Sequence, residues 1–387
     1  MLPSWFPPNG GSFFLEQSTV LNEIAEEIVL YVEPISIKML IKNPFKIKKL
    51  FLIQEEIVDG LKIIRGFNLR VPKLFLPNLY IEKFAYLKLY KYALKKYGKP
   101  DLIHVHSSIW GGWYAYWIKK IYNIPYIITE HRGRFTNNSY IQKENLLPLK
   151  YSYFLKKTFS NSFDILPVSQ GMKTKILEYS GRNKNIKIIH NMVNENFSYK
   201  QIEKYEVFTF VVVAGLNSGK AIDILLYALE KFSLKKTNSF QLLIIGSGDK
   251  QNSLKKLSID LKLEKNIKFL GRRDRKEVVE YIQRSHIFVL PTRYEGFSVA
   301  IIEALFSGLP VITTKNVGGN NEAINEKNGL LVEVDNIEEL ANAMEYMYKN
   351  YSKYNNFEIA KEAKQKYGKE SFKKAYQEVY QKVVNES

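Results

Sequence analysis

The sequence has no cysteine and only five histidines among its 387 residues. The missing cysteines exclude a disulfide framework, cysteine-ligated zinc, iron–sulfur clusters and thiol catalysis. Long hydrophobic runs are missing too, since no stretch reaches the roughly 18 apolar residues that a membrane-spanning helix needs. Residues 1–5 lack the basic flank and apolar run of a signal peptide, so the expected compartment is the cytosol.

The composition is that of a folded protein with more than one domain. Hydrophobic residues make up 45% and aromatic residues 14% of the chain, which is enough to build buried cores. A chain of 387 residues exceeds one ordinary core and predicts two domains of roughly 150–200 residues each.

Positive charge is concentrated in the first half. Of the net charge of +18, residues 1–200 contribute +14, from 29 basic and 15 acidic residues. The excess is densest in segments 38–50 and 81–99, where apolar and basic residues alternate as they do in interfacial helices. We expect contact with an anionic membrane surface; a solvated helix face is the alternative. A nucleic-acid-binding protein would be the non-enzyme hypothesis, but no nucleic-acid-binding motif supports it.

Short apolar runs alternate with helical stretches, a pattern typical of α/β proteins with parallel sheets. We predict two doubly wound, Rossmann-like domains at 1–200 and 201–365, joined through a polar stretch at 194–206, and a C-terminal helix within 366–387 that returns to the first domain. Ligands of such sheets bind at the carboxyl ends of the strands, so the expected site is the cleft between the domains. The predicted strands are Ile28–Val32, Leu61–Ile64, Leu102–Val105, Tyr126–Thr129, Ile165–Val168, Ile186–Ile189, Phe208–Ala214, Phe240–Ile245, Ile267–Leu270, Ile287–Leu290, Val311–Thr313 and Gly329–Val332.

The stretch PTRYEGFSVAIIE, at 291–303, is the densest group of residues that could carry chemistry. Glu295 lies in a glycine turn and Glu303 lies eight residues later, about 12 Å along the predicted helix, so the two carboxylates reach different parts of one extended ligand. Amides at the helix start suit a phosphate. These amides belong to Gly296, Phe297 and Ser298. A helix cap and a solvated helix residue would give the same spacing, so the two glutamates alone decide nothing.

In its wider context the sequence resembles glycosyltransferase family 4, whose members have the GT-B fold and a Glu-x7-Glu signature that Glu295 and Glu303 match. The landmarks run through nearly the whole chain in family order, and this ordered set is specific where each piece alone is weak. They are PSWFPPNGGSFFLEQ (3–17), DLIHVHS (101–107), IPYIITEH (124–131), LPVSQGM (166–172), IIHNMVN (188–194), LLIIGSGD (242–249), IKFLGRRD (267–274), the stretch 286–314 and VGGNNEAI (317–324).

The resemblance implies a role for each matching position. Glu303 would hold the ribose hydroxyls of a nucleotide, Glu295 the donor-sugar hydroxyls and Lys220 the diphosphate. His131 would lie at the reacting face of the first domain, so the implied catalytic residues are Glu295, His131 and Lys220. The other implied donor contacts are Gly10 and Gly11 in a loop under the diphosphate, Gly246, Arg272 beside the base, Arg293, and Gly296, Phe297 and Ser298 at the sugar and diphosphate.

The implied reaction moves a sugar from a nucleoside diphosphate to a glycan acceptor with retention of configuration. A lysine and helix-start amides can stabilise the leaving diphosphate without a metal ion, and the sequence has no Asp-x-Asp pair, so we expect no metal and no cofactor. The expected partners are a UDP- or GDP-sugar, a lipid-linked or oligosaccharide acceptor and the anionic inner face of the cell membrane. The expected process is bacterial cell-surface polysaccharide synthesis, of capsule or lipopolysaccharide, without nucleic acid.

Two departures from the family pattern matter. Leu216 stands where the family carries an arginine, and Ala221 replaces the glycine after Lys220, so one diphosphate cation is missing. Arg293 is the expected substitute, and a weak or inactive relative is the alternative. The family's first, central strand has no counterpart before Pro3, which predicts either an upstream start or a sheet without that strand, at a cost in unpaired backbone groups.

Competing motifs are weak. The GSGD segment at 246–249 lacks the third glycine of a dinucleotide site, and the stretch from Gly215 to Lys220 is one residue short of a P-loop. A phosphorylase that consumes free phosphate is the enzyme alternative within the same fold.

The histidines leave further alternatives open. His104 and His106 alternate on one predicted strand and could ligate a metal, although one core position and one cleft position is the simpler interpretation. We expect His190 in a loop near the cleft and Trp110 on the acceptor side.

Overall fold

The computed structural model describes residues 12–72, 74–136, 151–181, 184–234 and 239–387. These residues form two α/β halves, and Gly10 and Gly11 lie outside them. The strands of the first half are β1 (Ile28–Ser36), β2 (Ile53–Val58), β3 (Leu61–Arg70), β4 (Ile103–His106), β5 (Tyr126–Glu130) and β6 (Ile165–Pro167). Its helices are α1 (Ser12–Leu21), α2 (Ile37–Lys42), α3 (Phe75–Tyr97), α4 (Trp113–Tyr122), α5 (Ser152–Asn161) and α6 (Lys173–Ser180).

The second half is one parallel sheet covered by helices. Its strands are β7 (Phe208–Val213), β8 (Phe240–Ile245), β9 (Ile267–Gly271), β10 (Ile287–Leu290), β11 (Val311–Thr314) and β12 (Gly329–Val332), in the order β12-β11-β10-β7-β8-β9. Its helices are α7 (Ile222–Ser233), α8 (Gln251–Asp260), α9 (Arg275–Arg284), α10 (Val299–Phe306), α11 (Asn320–Ala323), α12 (Ile337–Lys349), α13 (Asn356–Tyr367) and α14 (Lys369–Glu386). Runs such as IFVL in β10 are buried along their whole length because both faces of the sheet are covered.

Two strand predictions in the first half need correction. The antiparallel hairpin of β2 and β3 was missed, although Asp59 and Gly60 form its turn with φ angles of 50° and 80°. The Asp-Gly pair is a known hairpin signal, because both positions of such a turn need positive φ. The predicted strand Ile186–Ile189 does not form; only an isolated bridge joins Ile165 to Ile186.

The strands of the first half lie in two separate three-stranded sheets. Within the described ranges their orders are β1-β3-β2 and β4-β5-β6, so β1 and β4 are both edge strands of the sheets that these ranges form. A cavity of about 270 Å³ borders both edges, with Ile28 and Leu30 on one side and Ile103 and His104 on the other. The cavity lies where the sequence predicted the absence of the family's first, central strand.

Helix α14 packs on the first half, although it follows the second in sequence. Phe372, Tyr376 and Val383 line one face of the helix, and they are buried against Ile127 of β5 and Leu166 of β6. Their near-helical spacing explains why this polar-looking helix docks at all. The chain therefore crosses between the halves twice, once near residue 200 and once before α14.

Candidate functional site

Lys220 and Glu295 meet at the carboxyl edge of the second sheet. Lys220 ends a single 3₁₀ turn after β7, and Asn217 caps that turn by accepting a hydrogen bond from the Gly219 amide at 3.0 Å. Glu295 lies in the loop after β10, which pairs with β7. The Lys220 ammonium contacts the Glu295 carboxylate directly, and the two side chains keep 23% and 20% exposure. A partly exposed cation and carboxylate are thus held together where the second half meets Gly133 of the first.

Glu303 lies on α10, with only 13% of its side chain exposed. Burial raises its pKa to about 7, and Arg275 opposes that rise. The Arg275 guanidinium lies 3.4 Å from Glu303 Oε1 and also pairs with Glu16 of α1. This places Glu303 at a junction where the second half meets the first helix of the chain.

Sequence reasoning missed Arg275, though a local signal was present. Asp274 and Glu277 form a capping box that starts α9 directly after β9, and this fixes Arg275 as the first residue of the helix. A strand followed by a capping box places that first residue at the carboxyl edge of the sheet. No signal in the sequence indicated that Glu16, which is distant in the chain, would be the partner of Arg275.

Backbone contacts join the halves beside Glu295. We call Gly133, Gly171, Gly296 and Gly318 the glycine seam. A Cβ on Gly296 would lie 2.4 Å from the carbonyl oxygen of His131, and one on Gly171 would lie 2.7 Å from that of Gly318. A side chain at Gly133, Gly171 or Gly296 would therefore hold the halves apart, whereas one at Gly318 would meet the backbone of Glu295 and Gly296 within the second half.

The start of α10 is built into the same contact. Ser169 donates a hydrogen bond to the Gly296 carbonyl at 2.8 Å, and the Phe297 ring stacks on His190 with ring centroids 4.9 Å apart. The Phe297 side chain therefore packs between the two halves. At this helix start the groups that suit an anion are therefore backbone amides, including that of Ser298.

His131 faces this helix start from the first half. Burial lowers its pKa to about 3, so the imidazole is neutral near physiological pH. Its Nε2 lies 3.0 Å from Nδ1 of His106, and the ring of Phe14 packs edge-on at 4.9 Å. The buried Glu130 carboxylate accepts hydrogen bonds from the amides of His131 and Arg132, each at 3.1 Å, and fixes the loop.

The comparisons with known proteins agree with this architecture. The family model described as Glycosyltransferase Family 4 matches residues 52–197, and that described as Glycosyl transferases group 1 matches residues 194–365. A crystal structure of Anabaena Alr3699/HepE in complex with UDP and glucose matches with a TM-score of 0.70 and 16% identity, covering 97% of this chain and 96% of that one. The chain has the GT-B fold, and its two halves match two glycosyltransferase family models.

Curated relatives of this GT-B protein cover part of its length. A glycosyltransferase of Methanocaldococcus jannaschii is 31% identical over 241 residues, which are 62% of this chain and 63% of the relative. A Campylobacter jejuni relative is 30% identical over 201 residues, 50% of this chain and 53% of that one. It is named N-acetylgalactosamine-N,N'-diacetylbacillosaminyl-diphospho-undecaprenol 4-alpha-N-acetylgalactosaminyltransferase. The chain thus spans between half and two thirds of the length of these relatives.

The sequence predicted Arg293 as the substitute diphosphate cation of this GT-B site, and the structure surrounds it with acidic partners. Its guanidinium pairs with Asp223 at 2.8 Å and with Asp335 at 2.7 Å, and it donates to the Ser218 carbonyl at 2.6 Å. Two carboxylates already neutralise this cation. Arg293 instead supports the turn that carries Lys220. Leu216, where the family's arginine was expected, is 1% exposed and packs in the core.

The remaining implied donor contacts lie at the same edge of the second sheet. Gly246 follows β8 with φ 136°, and a Cβ there would lie 1.9 Å from the Ala214 carbonyl oxygen, so a side chain is excluded by the backbone. Arg272 follows β9 and is exposed.

The histidines of the first half form a chain of contacts. His104 lies 2.7 Å from Thr129 Oγ1 and 2.8 Å from the Tyr380 hydroxyl of α14, and it stacks near His106. Among the described residues no group of three or more histidine or acidic side chains is arranged to hold a metal ion. Within the same described part of the chain, no helix is long and apolar enough to cross a bilayer.

Proposed function

We propose that the protein is a retaining glycosyltransferase that moves a sugar from a nucleoside-diphosphate donor to a lipid-linked glycan acceptor. The observation that carries the proposal is the contact between Lys220 and Glu295, which lies beside the start of α10 and opposite His131. A donor in this cleft would meet a cation, a carboxylate and helix-start amides together.

The second half suits the nucleotide end of the donor. Breaking the bond between sugar and diphosphate builds negative charge on the leaving group, which Lys220 and the amides before α10 would stabilise. No metal ion is needed for this role in the proposal. Glu303 would accept hydrogen bonds from the ribose hydroxyls. These hydroxyls would replace the Arg275 guanidinium as the partners of the carboxylate.

The first half suits the acceptor and the reacting face. The bond from the sugar carbon to the phosphate oxygen breaks as a bond to the acceptor oxygen forms on the same face, and the proton of the acceptor hydroxyl passes to the leaving phosphate. Glu295 would orient the donor-sugar hydroxyls. A neutral His131 can accept or donate one hydrogen bond to the sugar without adding charge beside a developing cation.

The donor class and acceptor are argued from relatives and charge. The HepE structure contains UDP and glucose, which supports a UDP- or GDP-sugar as the donor in this proposal. The name of the Campylobacter relative contains a diphospho-undecaprenol, which supports a lipid-linked acceptor in cell-surface polysaccharide synthesis. We place the protein in the cytoplasm, peripheral on the inner face of the cell membrane.

A thermal-shift panel of UDP- and GDP-sugars in EDTA tests the donor side first. Binding that is confined to the folded state adds about 2.7 kcal/mol of stability at one hundred times Kd. Transfer to a lipid-linked acceptor with the stabilising donor, followed by NMR of the new glycosidic bond, then tests retention. A shift that appears only when a divalent metal is added, or a product of inverted configuration, would contradict the proposal.

A weak or inactive relative is the second candidate, and Leu216 is the observation that favours it. Leu216 stands where the family carries an arginine, and its side chain is buried in the core. The expected diphosphate site therefore has one cation fewer. Nucleotide binding without measurable transfer under any acceptor tested would support this candidate.

A further inference from the structure

One surface of the first half exposes large apolar side chains and lysines together. We call residues 37–52 the basic apolar segment; it contains α2 and a 3₁₀ helix, Pro44–Phe51. Ile41, Phe45 and Ile47 are 75%, 79% and 55% exposed, and α2 buries none of its residues. A soluble surface seldom shows such a cluster unless it has a partner.

The charge of this segment has one sign. Between Glu33 and Glu55 the sequence holds five lysines and no acidic residue. These lysines are Lys38, Lys42, Lys46, Lys48 and Lys49. Long lysine side chains can lie along an apolar surface while their ammonium groups stay in water, as they do at a bilayer interface.

The segment lies at the carboxyl edge of the first sheet, the edge that carries the site. Ser36, which caps α2, pairs in register with Arg70 at the end of β3. Arg70 lines a crevice together with Arg132 and His106, and His106 contacts His131. Leu74 and Leu76, which follow Arg70 closely, are also half exposed.

We propose that the basic apolar segment docks on a bilayer that contains anionic phospholipid. The combination of protruding Ile41, Phe45 and Ile47 with lysines on the same short segment fits an interfacial membrane contact. Nucleic acid would use the lysines but leave the apolar side chains unexplained. The proposal rests on the proposed function and deepens it. Docking at this edge would present the crevice that Arg70, Arg132 and His106 line to lipid-linked acceptors.

Vesicle flotation tests the docking without requiring catalysis. The protein is mixed with vesicles of phosphatidylcholine alone or of phosphatidylcholine with phosphatidylglycerol. We expect binding to the anionic vesicles and much less to the neutral ones. The Lys46→Gln/Lys48→Gln/Lys49→Gln variant should bind roughly a hundredfold more weakly, since each lysine near an anionic surface contributes roughly fivefold. The Phe45→Ser/Ile47→Ser variant should also lose binding.

A matched variant controls for net charge. Lys255, Lys265 and Lys268 are exposed on the second half, and replacing all three with glutamine changes the charge equally. The proposal fails if this control loses binding as strongly, if the wild-type protein ignores anionic vesicles, or if sedimentation shows a dimer that Phe45→Ser dissociates. Nucleotide-induced thermal shifts are measured on every variant. Intact vesicle binding without any nucleotide shift would overturn the proposed function while leaving the docking surface in place.

Discussion

Replacing Glu303 with glutamine should stabilise the protein at alkaline pH while it removes nucleotide binding. Burial raises the pKa of this carboxyl from 4.5 to about 7. Between these two values the folded state holds the proton more tightly than the unfolded chain, so the contribution of Glu303 to stability falls as pH rises through this window and stays low above it. A difference of about 2.5 pKa units corresponds to about 3 kcal/mol.

Glutamine nearly keeps the shape of Glu303 but cannot ionise. Thermal unfolding of the wild type and of Glu303→Gln should therefore show a gap that favours the variant more at about pH 8 than at about pH 5, by up to about 3 kcal/mol. The attraction of Arg275 reduces this figure. The same variant should lose the thermal shift caused by the donor nucleotide, because an amide cannot replace a carboxylate that accepts from two ribose hydroxyls.

A surface variant separates this effect from a general loss of charge. Glu326 is exposed, and Glu326→Gln should show the same gap at both pH values. If Glu303→Gln behaved in the same way as this control, the carboxyl would not be a buried group with a raised pKa, and the reasoning from burial would be refuted.

Four other substitutions test the site and the packing around it. Lys220→Ala and Glu295→Ala should each lower kcat by roughly a hundred- to a thousandfold without lowering the melting temperature much; near-wild-type turnover in either would remove that residue from the mechanism. Gly296→Ala should lower kcat/KM more than nucleotide affinity, because its Cβ would lie 2.4 Å from the His131 carbonyl oxygen and keep the cleft open; equal losses in both quantities would contradict this. Tyr376→Phe should cost about 1 kcal/mol, since its hydroxyl hydrogen bond of 2.8 Å is buried, and an unchanged denaturant midpoint would show that this bond contributes nothing.

The second half of the fold was predictable from sequence because its strands are continuous apolar runs. Three of its six predicted strands, Phe240–Ile245, Ile287–Leu290 and Gly329–Val332, have the observed bounds. Strand β2 escaped because its residues, IQEEIV, are half polar and lie at the edge of a sheet. None of the six residues of β2 is buried, so the hydrophobic signal that marks a buried strand is weak there.

The candidate site was predictable only where it is local in sequence. The spacing of Glu295 and Glu303 is a property of one loop and one helix, and Lys220 follows the strand beside them. The partners of Arg293 could not be foreseen, because Asp223 and Asp335 come from distant parts of the chain and decide whether that cation is available. The burial that lowers the pKa of His131 likewise depends on residues that are distant in sequence, since Phe14 and His106 pack against its ring.

The glycine seam has a mechanical consequence. Where two domains meet through interlocking side chains, separating them requires many side chains to change rotamer and exposes much apolar surface to water. At the seam main chain meets main chain, so opening breaks few such contacts, and the closest approach is set by the thickness of the peptide backbone itself. The seam therefore sets how closely the two halves can approach. The cost of separating them lies in the side-chain contacts around the seam, among them the Ser169 hydrogen bond to the Gly296 carbonyl and the stack of Phe297 on His190.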